Sequence, residues 1–157
     1  MSIIGHESTN PIIFYSGKIT GYILWILFIL SFFDVINIQM LDIIWLKYIS
    51  FLTVVIGFFF TMISLINLGK STRLGLPDED TVFKDVGLYK ISRNPMYVGF
   101  NLFTISSILL TANMITLLAG LFSIYSYHLI IKGEEIFLEH RFGQKYLNYK
   151  QKVRRYF

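Results

Sequence analysis

Long segments almost free of charge dominate this sequence and restrict the folds that it can adopt. Residues 43–68 contain one charged side chain, and residues 95–131 contain none. Crossing the hydrocarbon core of a bilayer takes roughly 20 apolar residues in a helix. The uninterrupted apolar run at residues 51–60 lacks the two-residue alternation of a barrel strand. The sequence therefore predicts an all-α polytopic membrane protein with about four transmembrane helices, at residues 19–34, 43–68, 95–110 and 114–131.

Composition supports lipid as the solvent of this chain. Hydrophobic residues make up 54% of the sequence and charged residues 15%, which is outside the usual range of soluble domains. Cysteine is absent, so disulfides, thiolate nucleophiles and cysteine metal sites are excluded, and we predict no metal site. The net charge of +4 comes from basic residues that flank apolar segments. This distribution favours membrane lipids over nucleic acid as a partner.

Basic residues also predict the orientation of the chain. Four spans place both termini and the polar loop at residues 69–94 on one side, and that side holds every Lys and Arg except Lys47. By the positive-inside rule this side is cytoplasmic, in a bacterial inner membrane or an endomembrane. The N-terminal residues lack the features of a cleaved signal peptide, so the first span is expected to remain. The whole chain, residues 1–157, is treated as one domain.

The segment from Gly87 to Gly99 joins the polar loop to the third span. Asn94 suits an N-cap, Pro95 suits the first helical position, and Tyr97 falls in the first turn. Together with Arg93, such a helix start attracts an anion such as a carboxylate. The alternative is a capped helix whose arginine extends to the lipid headgroups.

A second polar cluster, Glu134 and Glu135, directly follows the fourth span. Two adjacent acidic side chains at the end of a membrane span are energetically costly unless they are solvated, paired or functional. If the helix continues, Glu135 lies below His128 on a shared face, near Tyr125, although a single histidine of this kind is usually structural. Residues 132–153 are predicted to form an amphipathic helix along the membrane surface, with a simple anchoring role as the alternative.

These two clusters resemble, in order and spacing, the terminal region of the isoprenylcysteine carboxyl methyltransferase family, which is related to phospholipid methyltransferases. The resemblance covers about half of the chain and extends upstream to residues 68–75. Its segments are Gly87-Leu88-Tyr89, residues 93–99, residues 134–138, residues 142–149 and Val153.

The resemblance implies S-adenosyl-L-methionine as the cofactor, held near the cytoplasmic face by the loop at residues 69–94, the last two spans and the tail. It also implies an apolar or amphiphilic acceptor that enters from the bilayer. Glu135 and Arg93 are the candidate catalytic residues, with Glu135 orienting or deprotonating the acceptor or else pairing with a nearby arginine. The residues implied to contact the cofactor are Tyr89, Asn94, Pro95, Met96, Tyr97 and Glu134.

The sequence departs from the family pattern at two positions. Ile130 stands where prenylcysteine enzymes carry an arginine, which disfavours a prenylcysteine substrate. Asn94 stands where eukaryotic members usually have histidine, a change that is also common among bacterial relatives and does not alter the interpretation. Two alternatives stay open: a non-catalytic membrane assembly protein, and a sterol-reductase-like enzyme that uses NADPH. All methyltransferase interpretations require the segment before the third span to lie against the acidic start of the tail.

Overall fold

The computed structural model describes residues 9–69 and 83–157, and within these residues the regular structure is helical. Residues 70–82, which contain most of the upstream resemblance segment, lie outside the described residues. A short 3-10 helix, Gly87–Lys90, precedes the third α-helix. The α-helices are α1 (Pro11–Phe32), α2 (Ile44–Leu68), α3 (Pro95–Thr111), α4 (Met114–Phe142) and α5 (Gln144–Lys152).

Three helices, α1, α2 and α4, are long and apolar enough to cross a membrane. With 17 residues, α3 is shorter, and at about 1.5 Å per residue it spans roughly 26 Å. The prediction of an all-α polytopic membrane protein with about four spanning helices is confirmed.

Helix α1 begins at Pro11, eight residues before the predicted start at residue 19. The side chain of Asn10 accepts a hydrogen bond from the backbone N–H of Ile12 at 2.9 Å, and Pro11 occupies the first helical position. The first span predicted at residues 19–34 leaves Lys18 at its boundary. Lys18 is instead buried within α1, with 7% of its surface exposed, because the helix packs on its neighbours at this level.

Close helix packing depends on small residues. A Cβ atom added at Gly17 of α1 would lie 2.2 Å from Ser126 Cβ on α4, and one added at Gly99 of α3 would lie 2.2 Å from Thr61 Oγ1 on α2. Trp25 of α1 donates a hydrogen bond to Thr104 of α3 at 3.1 Å. Small side chains let helix backbones approach closely, which favours packing in lipid.

The hairpin between α3 and α4 consists of Ala112 and Asn113, between the spans predicted at residues 95–110 and 114–131. Ala112 adopts a left-handed conformation with φ 42°, and the side chain of Asn113 accepts a hydrogen bond from Ile115 N at 2.8 Å. The connection between α1 and α2 reaches the same end, because Met40 N donates to Thr111 O at 3.1 Å. The polar segments therefore gather at the opposite end of the bundle.

The predicted surface helix at residues 132–153 is wrong as a single element. Helix α4 continues to Phe142, and α5 starts only after Gly143, whose φ of 51° and ψ of −128° interrupt the helix. The apolar residues of the tail do not form a stripe directed only at lipid. Tyr146, Tyr149 and Val153 are buried together against Phe83, which precedes the 3-10 helix.

Candidate functional site

The carboxylate of Glu135 connects three separate parts of the chain. Its Oε1 accepts hydrogen bonds from Arg93 Nε at 3.1 Å and from Arg93 Nη2 at 3.0 Å. Oε1 also accepts from Asn94 Nδ2 at 3.1 Å, while Oε2 accepts from Arg155 Nε at 3.1 Å and Nη2 at 2.8 Å. Only 3% of Glu135 is exposed. We call Arg93, Asn94, Glu135 and Arg155 the carboxylate hub.

Arg93 also fixes the end of the tail. Its Nη1 donates to the carbonyl oxygens of Lys150 at 3.1 Å and Val153 at 2.7 Å, and its backbone N–H donates to Arg154 O at 2.9 Å. One guanidinium thus binds α4 on one side and the C-terminal end of α5 on the other. Since protein groups accept its hydrogen bonds on both sides, the Arg93 guanidinium connects α4 to the tail.

Asn94 precedes the first residue of α3, as predicted, but its side chain does not cap the helix. It donates instead to Glu135 Oε1 at 3.1 Å and to Arg155 O at 3.3 Å. The predicted capping interaction is therefore wrong, because the side-chain amide of Asn94 donates to groups of the carboxylate hub instead of capping α3. The first intrahelical bond of α3 runs from Val98 N to Asn94 O at 3.1 Å. Hence the N–H groups of Met96 and Tyr97 precede the intrahelical ladder, as at other helix starts that bind anions.

Glu134 faces a different set of groups from its neighbour. The hydroxyl of Tyr97 donates to Glu134 Oε1 at 2.6 Å, and Glu134 interacts electrostatically with Lys18 of α1. The Lys18 ammonium group also lies 3.7 Å from the centre of the Phe14 ring. We call Lys18, Tyr97 and Glu134 the tyrosine–glutamate cluster. It adjoins the carboxylate hub through the consecutive residues Glu134 and Glu135.

Proximity of the loop segment and the acidic start of the tail is confirmed. Asn94 contacts Glu135 and Tyr97 contacts Glu134, so the residues that the sequence selected meet at one end of the bundle. The structure brings Pro95 and Met96 to the same place, in the first turn of α3, where both are buried. Met96 and Tyr97 also pack in the apolar core with Phe100 and Tyr127.

Tyr89 lies in the 3-10 helix, beneath the tail. The hydroxyl of Tyr149 donates to Tyr89 O at 2.6 Å. Burial raises the pKa of Tyr89 and of Tyr149 further above an ordinary value at which both hydroxyls are already protonated at neutral pH. In the hub, the hydrogen bonds to Glu135 raise the pKa of Arg155, a side chain that is charged throughout the physiological range. The tail therefore covers Tyr89 through neutral contacts and joins the hub through charged ones.

Other polar residues of α4 have partners outside the hub. His128 Nδ1 is hydrogen-bonded to the Tyr156 hydroxyl at 2.8 Å, whereas Tyr125 is 61% exposed. Ile130, which stands where the prenylcysteine pattern has an arginine, is fully buried in the core.

Two residues of the site were missed by sequence reasoning. Lys18 lies just outside the first span predicted at residues 19–34, and its position in the sequence does not distinguish it from a lysine at a membrane boundary. Arg155 was counted among basic residues of the tail, and no local pattern distinguishes it from Arg154. Only the path of the chain after α5 separates these two arginines.

Comparison with known families identifies this region of the chain. The model of the family described as phospholipid methyltransferase matches residues 45–145, which is more than half of the sequence. The match runs from the start of α2 through α4 and includes Arg93, Asn94, Tyr97 and both glutamates. No curated protein matches this chain at the threshold applied.

Proposed function

Because this chain belongs to the phospholipid methyltransferase family, we propose that it transfers a methyl group from S-adenosylmethionine to an apolar or amphiphilic acceptor reached from the bilayer. The family supports membrane-associated methyl transfer in general. The cofactor, the acceptor and the cytoplasmic location of the site are the finer parts of the proposal.

The observation that carries the proposal is the meeting of four segments at one end of the bundle. The start of α3, the polar end of α4, the buried Lys18 of α1 and the tail after α5 converge there. Acids and bases are concentrated there beside apolar helices, where burial of charge is costly unless the groups are paired or used. Such an end suits a charged cofactor that serves an acceptor dissolved in lipid.

The donor set fits S-adenosylmethionine, a cation at sulfur that also carries an ammonium and a carboxylate. Glu134, oriented by the Tyr97 hydroxyl, offers a carboxylate for the cationic groups. The start of α3, with the N–H groups of Met96 and Tyr97, offers donors for the carboxylate. Tyr89, Asn94 and Pro95 border this region. When bound, the cofactor supplies an electrophilic methyl group on its sulfonium.

Arg93 and Glu135 enter the proposal as positioning residues. The sequence suggested them as catalytic, yet each of the two carboxylate oxygens of Glu135 accepts at least two hydrogen bonds from protein groups. A carboxylate with both oxygens so engaged is a poor proton acceptor. We infer that the hub fixes the loop and tail around the cofactor, because alignment of the reacting groups supplies much of the rate of such a displacement.

Binding and turnover experiments test the proposal in two steps. Isothermal titration calorimetry on the detergent-solubilised full chain is expected to detect binding of S-adenosylmethionine and of its demethylated product. Mass spectrometry of lipid extracts incubated with methyl-labelled cofactor then identifies the acceptor. Binding of NADPH in place of S-adenosylmethionine would favour the reductase alternative. Absence of binding by either cofactor would favour an assembly protein.

A further inference from the structure

Lys18 is a buried lysine in a helix that is long and apolar enough to span the membrane. It lies about two helical turns after Pro11, the first residue of α1, which is about 10 Å along the helix axis. Only 7% of Lys18 is exposed. A charged side chain at such a position is costly unless it is paired or functional. Its burial therefore indicates a role beyond that of a lysine at the lipid headgroups.

The ammonium group of Lys18 lies beside the start of α3 and Glu134. Lys18 Nζ is 3.7 Å from the centre of the Phe14 ring, and Phe14 belongs to the same core cluster as Met96 and Tyr97. Tyr97 donates to Glu134 Oε1 at 2.6 Å, and Glu134 interacts electrostatically with Lys18. A cation from α1 and an anion from α4 thus meet at the first turn of α3.

The arginines of the carboxylate hub are bound to the other glutamate. Arg93 donates to Glu135 and to two carbonyl oxygens of the tail, and Arg155 donates to Glu135 through Nε and Nη2. The hub therefore balances its charges with protein groups. Lys18 and Glu134 supply a second pair of opposite charges at this end, on two different helices.

The tyrosine–glutamate cluster is more accessible than the hub. Glu134 is partly exposed, whereas only 3% of Glu135 is exposed, and Lys18 keeps some exposed surface. An ammonium group has three N–H donors, so Lys18 can bind a ligand in addition to protein groups. A small charged ligand can therefore reach this cluster from the surface of the bundle.

Two opposite charges on neighbouring helices complement a zwitterion. The amino-acid end of S-adenosylmethionine carries an ammonium and a carboxylate on the same carbon atom. An ammonium bound to Glu134 would be repelled by Lys18, because like charges repel strongly where the dielectric constant is low. A ligand carboxylate beside Lys18 offsets this repulsion and accepts a charge-assisted hydrogen bond.

We propose that Lys18 selects a cofactor with a free carboxylate, by donating a charge-assisted hydrogen bond to that carboxylate while Glu134 binds the neighbouring ammonium. This inference rests on the proposed function. It adds to the site a residue of α1, a helix that precedes the segment matched by the family model at residues 45–145. The N–H groups at the start of α3 assist the same carboxylate.

Calorimetry with two ligands tests the inference on the full chain in detergent. Decarboxylated S-adenosylmethionine keeps the sulfonium, the adenosine and the amino group, and it lacks only the carboxylate. We expect the wild type to bind S-adenosylmethionine at least about ten-fold more tightly than the decarboxylated compound, which corresponds to about 1.4 kcal/mol. Equal affinity of the wild type for the two compounds would overturn the inference.

The variant Lys18→Met removes the charge and keeps an unbranched side chain. We expect it to weaken binding of S-adenosylmethionine about ten-fold. Its affinity for the decarboxylated compound should stay the same or rise, because the repulsion of the ligand ammonium is gone. Lys132→Met is the matched control, since Lys132 is an exposed lysine two residues before Glu134, and it should keep the wild-type preference. Equal weakening of both ligands by Lys18→Met would show a purely structural lysine and contradict the inference.

A charge-balanced comparison covers the case in which Lys18→Met alone does not fold. The double variant Lys18→Met with Glu134→Gln removes both charges of the pair, and Glu134→Gln alone is its reference. We expect the double variant to lose the preference for S-adenosylmethionine over the decarboxylated compound, whereas Glu134→Gln retains it. The same preference in both variants would overturn the role of Lys18.

The wild-type measurement separates this inference from the proposed function. If the wild type binds neither compound, the proposed methyl transfer is overturned, and the role of Lys18 falls with it. If the wild type binds S-adenosylmethionine with a preference that Lys18→Met retains, the role of Lys18 alone is overturned.

Discussion

At the scale of single residues, Tyr97 and Glu134 form the contact on which cofactor binding is proposed to depend. Tyr97 is 3% exposed and packs in the core, so its truncation to alanine would open a cavity, at a cost of about 3–5 kcal/mol. Tyr97→Ala would therefore disturb the fold as well as any contact with the cofactor. The structure shows that removing only the hydroxyl is the cleaner test, since the ring also supports the fold.

We therefore predict that Tyr97→Phe weakens binding of S-adenosylmethionine by about ten-fold or more, since a hydrogen bond to a charged group contributes roughly 1.5–3 kcal/mol. The reason is that Glu134 loses the donor that orients its carboxylate. Calorimetry in detergent measures the effect, with Tyr48→Phe, an exposed tyrosine of α2, as the control. Equal affinity in the Tyr97 variant and the wild type would remove this pair from the cofactor site.

The carboxylate hub makes a prediction about stability. Glu135→Gln removes the charge that two arginines share, and breaking a buried ion pair costs roughly 3–5 kcal/mol. We expect a large fall in the free energy of unfolding, measured by thermal denaturation in detergent. Glu139→Gln is the matched control, because its pair with Lys150 at 3.0 Å has side chains that are 30% and 37% exposed.

Such an exposed pair contributes at most about 1 kcal/mol. If Glu135→Gln and Glu139→Gln lowered the free energy of unfolding by comparable amounts, the hub would not be the main connection between the loop, α4 and the tail.

At the scale of elements, the break between α4 and α5 directs the tail back onto the bundle. Gly143 adopts φ 51° and ψ −128°, a conformation that residues with a Cβ rarely adopt. No atom lies within 4 Å of a Cβ added there, so the effect of a substitution arises from the backbone alone. The turn allows Tyr146 and Tyr149 to reach Phe83 and the 3-10 helix.

Gly143→Ala is predicted to destabilise the docking of α5 by about 1–3 kcal/mol, the usual cost of a strained backbone conformation. Hydrogen–deuterium exchange of residues 144–152 measures the local opening, which should become faster. Asn148→Ala, an exposed substitution in the middle of α5, is the control. Unchanged exchange in Gly143→Ala would show that α5 docks independently of this turn.

At the scale of the whole molecule, the apolar helices α1 to α4 form a bundle whose two ends differ in chemistry. One end holds the connection between α1 and α2 beside the α3–α4 hairpin, through the contact of Met40 with Thr111. The other end holds the hub, the tyrosine–glutamate cluster and the tail. Under the proposed function, a cofactor from the aqueous phase would meet an acceptor from the lipid phase at this polar end.

The cytoplasmic location of the hub is a prediction that the absence of cysteine makes easy to test. Single substitutions Asn148→Cys and Gln39→Cys place one thiol near each end of the bundle. A membrane-impermeant maleimide applied to intact cells is expected to label Gln39→Cys but not Asn148→Cys, and lysis should expose the latter. The opposite pattern would reverse the orientation inferred from the basic residues.

The sequence by itself determined the membrane class, an all-α architecture with about four apolar helices, and the two polar segments that meet at one end of the bundle. These features follow from local properties: apolar length, helix-start residues and turn residues act within a few positions of the chain. The start of α1 was placed too late, because polar residues that face a neighbouring helix resemble a membrane boundary when only the sequence is considered.

Only the tertiary structure decided the partners of the polar residues. Glu135 connects parts of the chain, whereas Glu134 accepts a hydrogen bond from Tyr97 and interacts electrostatically with Lys18. The two differ because adjacent helical residues point about 100° apart toward different neighbours. Arg155 joined the hub because the chain turns at Gly143 and returns to α4. Long-range geometry of this kind is set by packing and backbone turns together, and no local pattern encodes it.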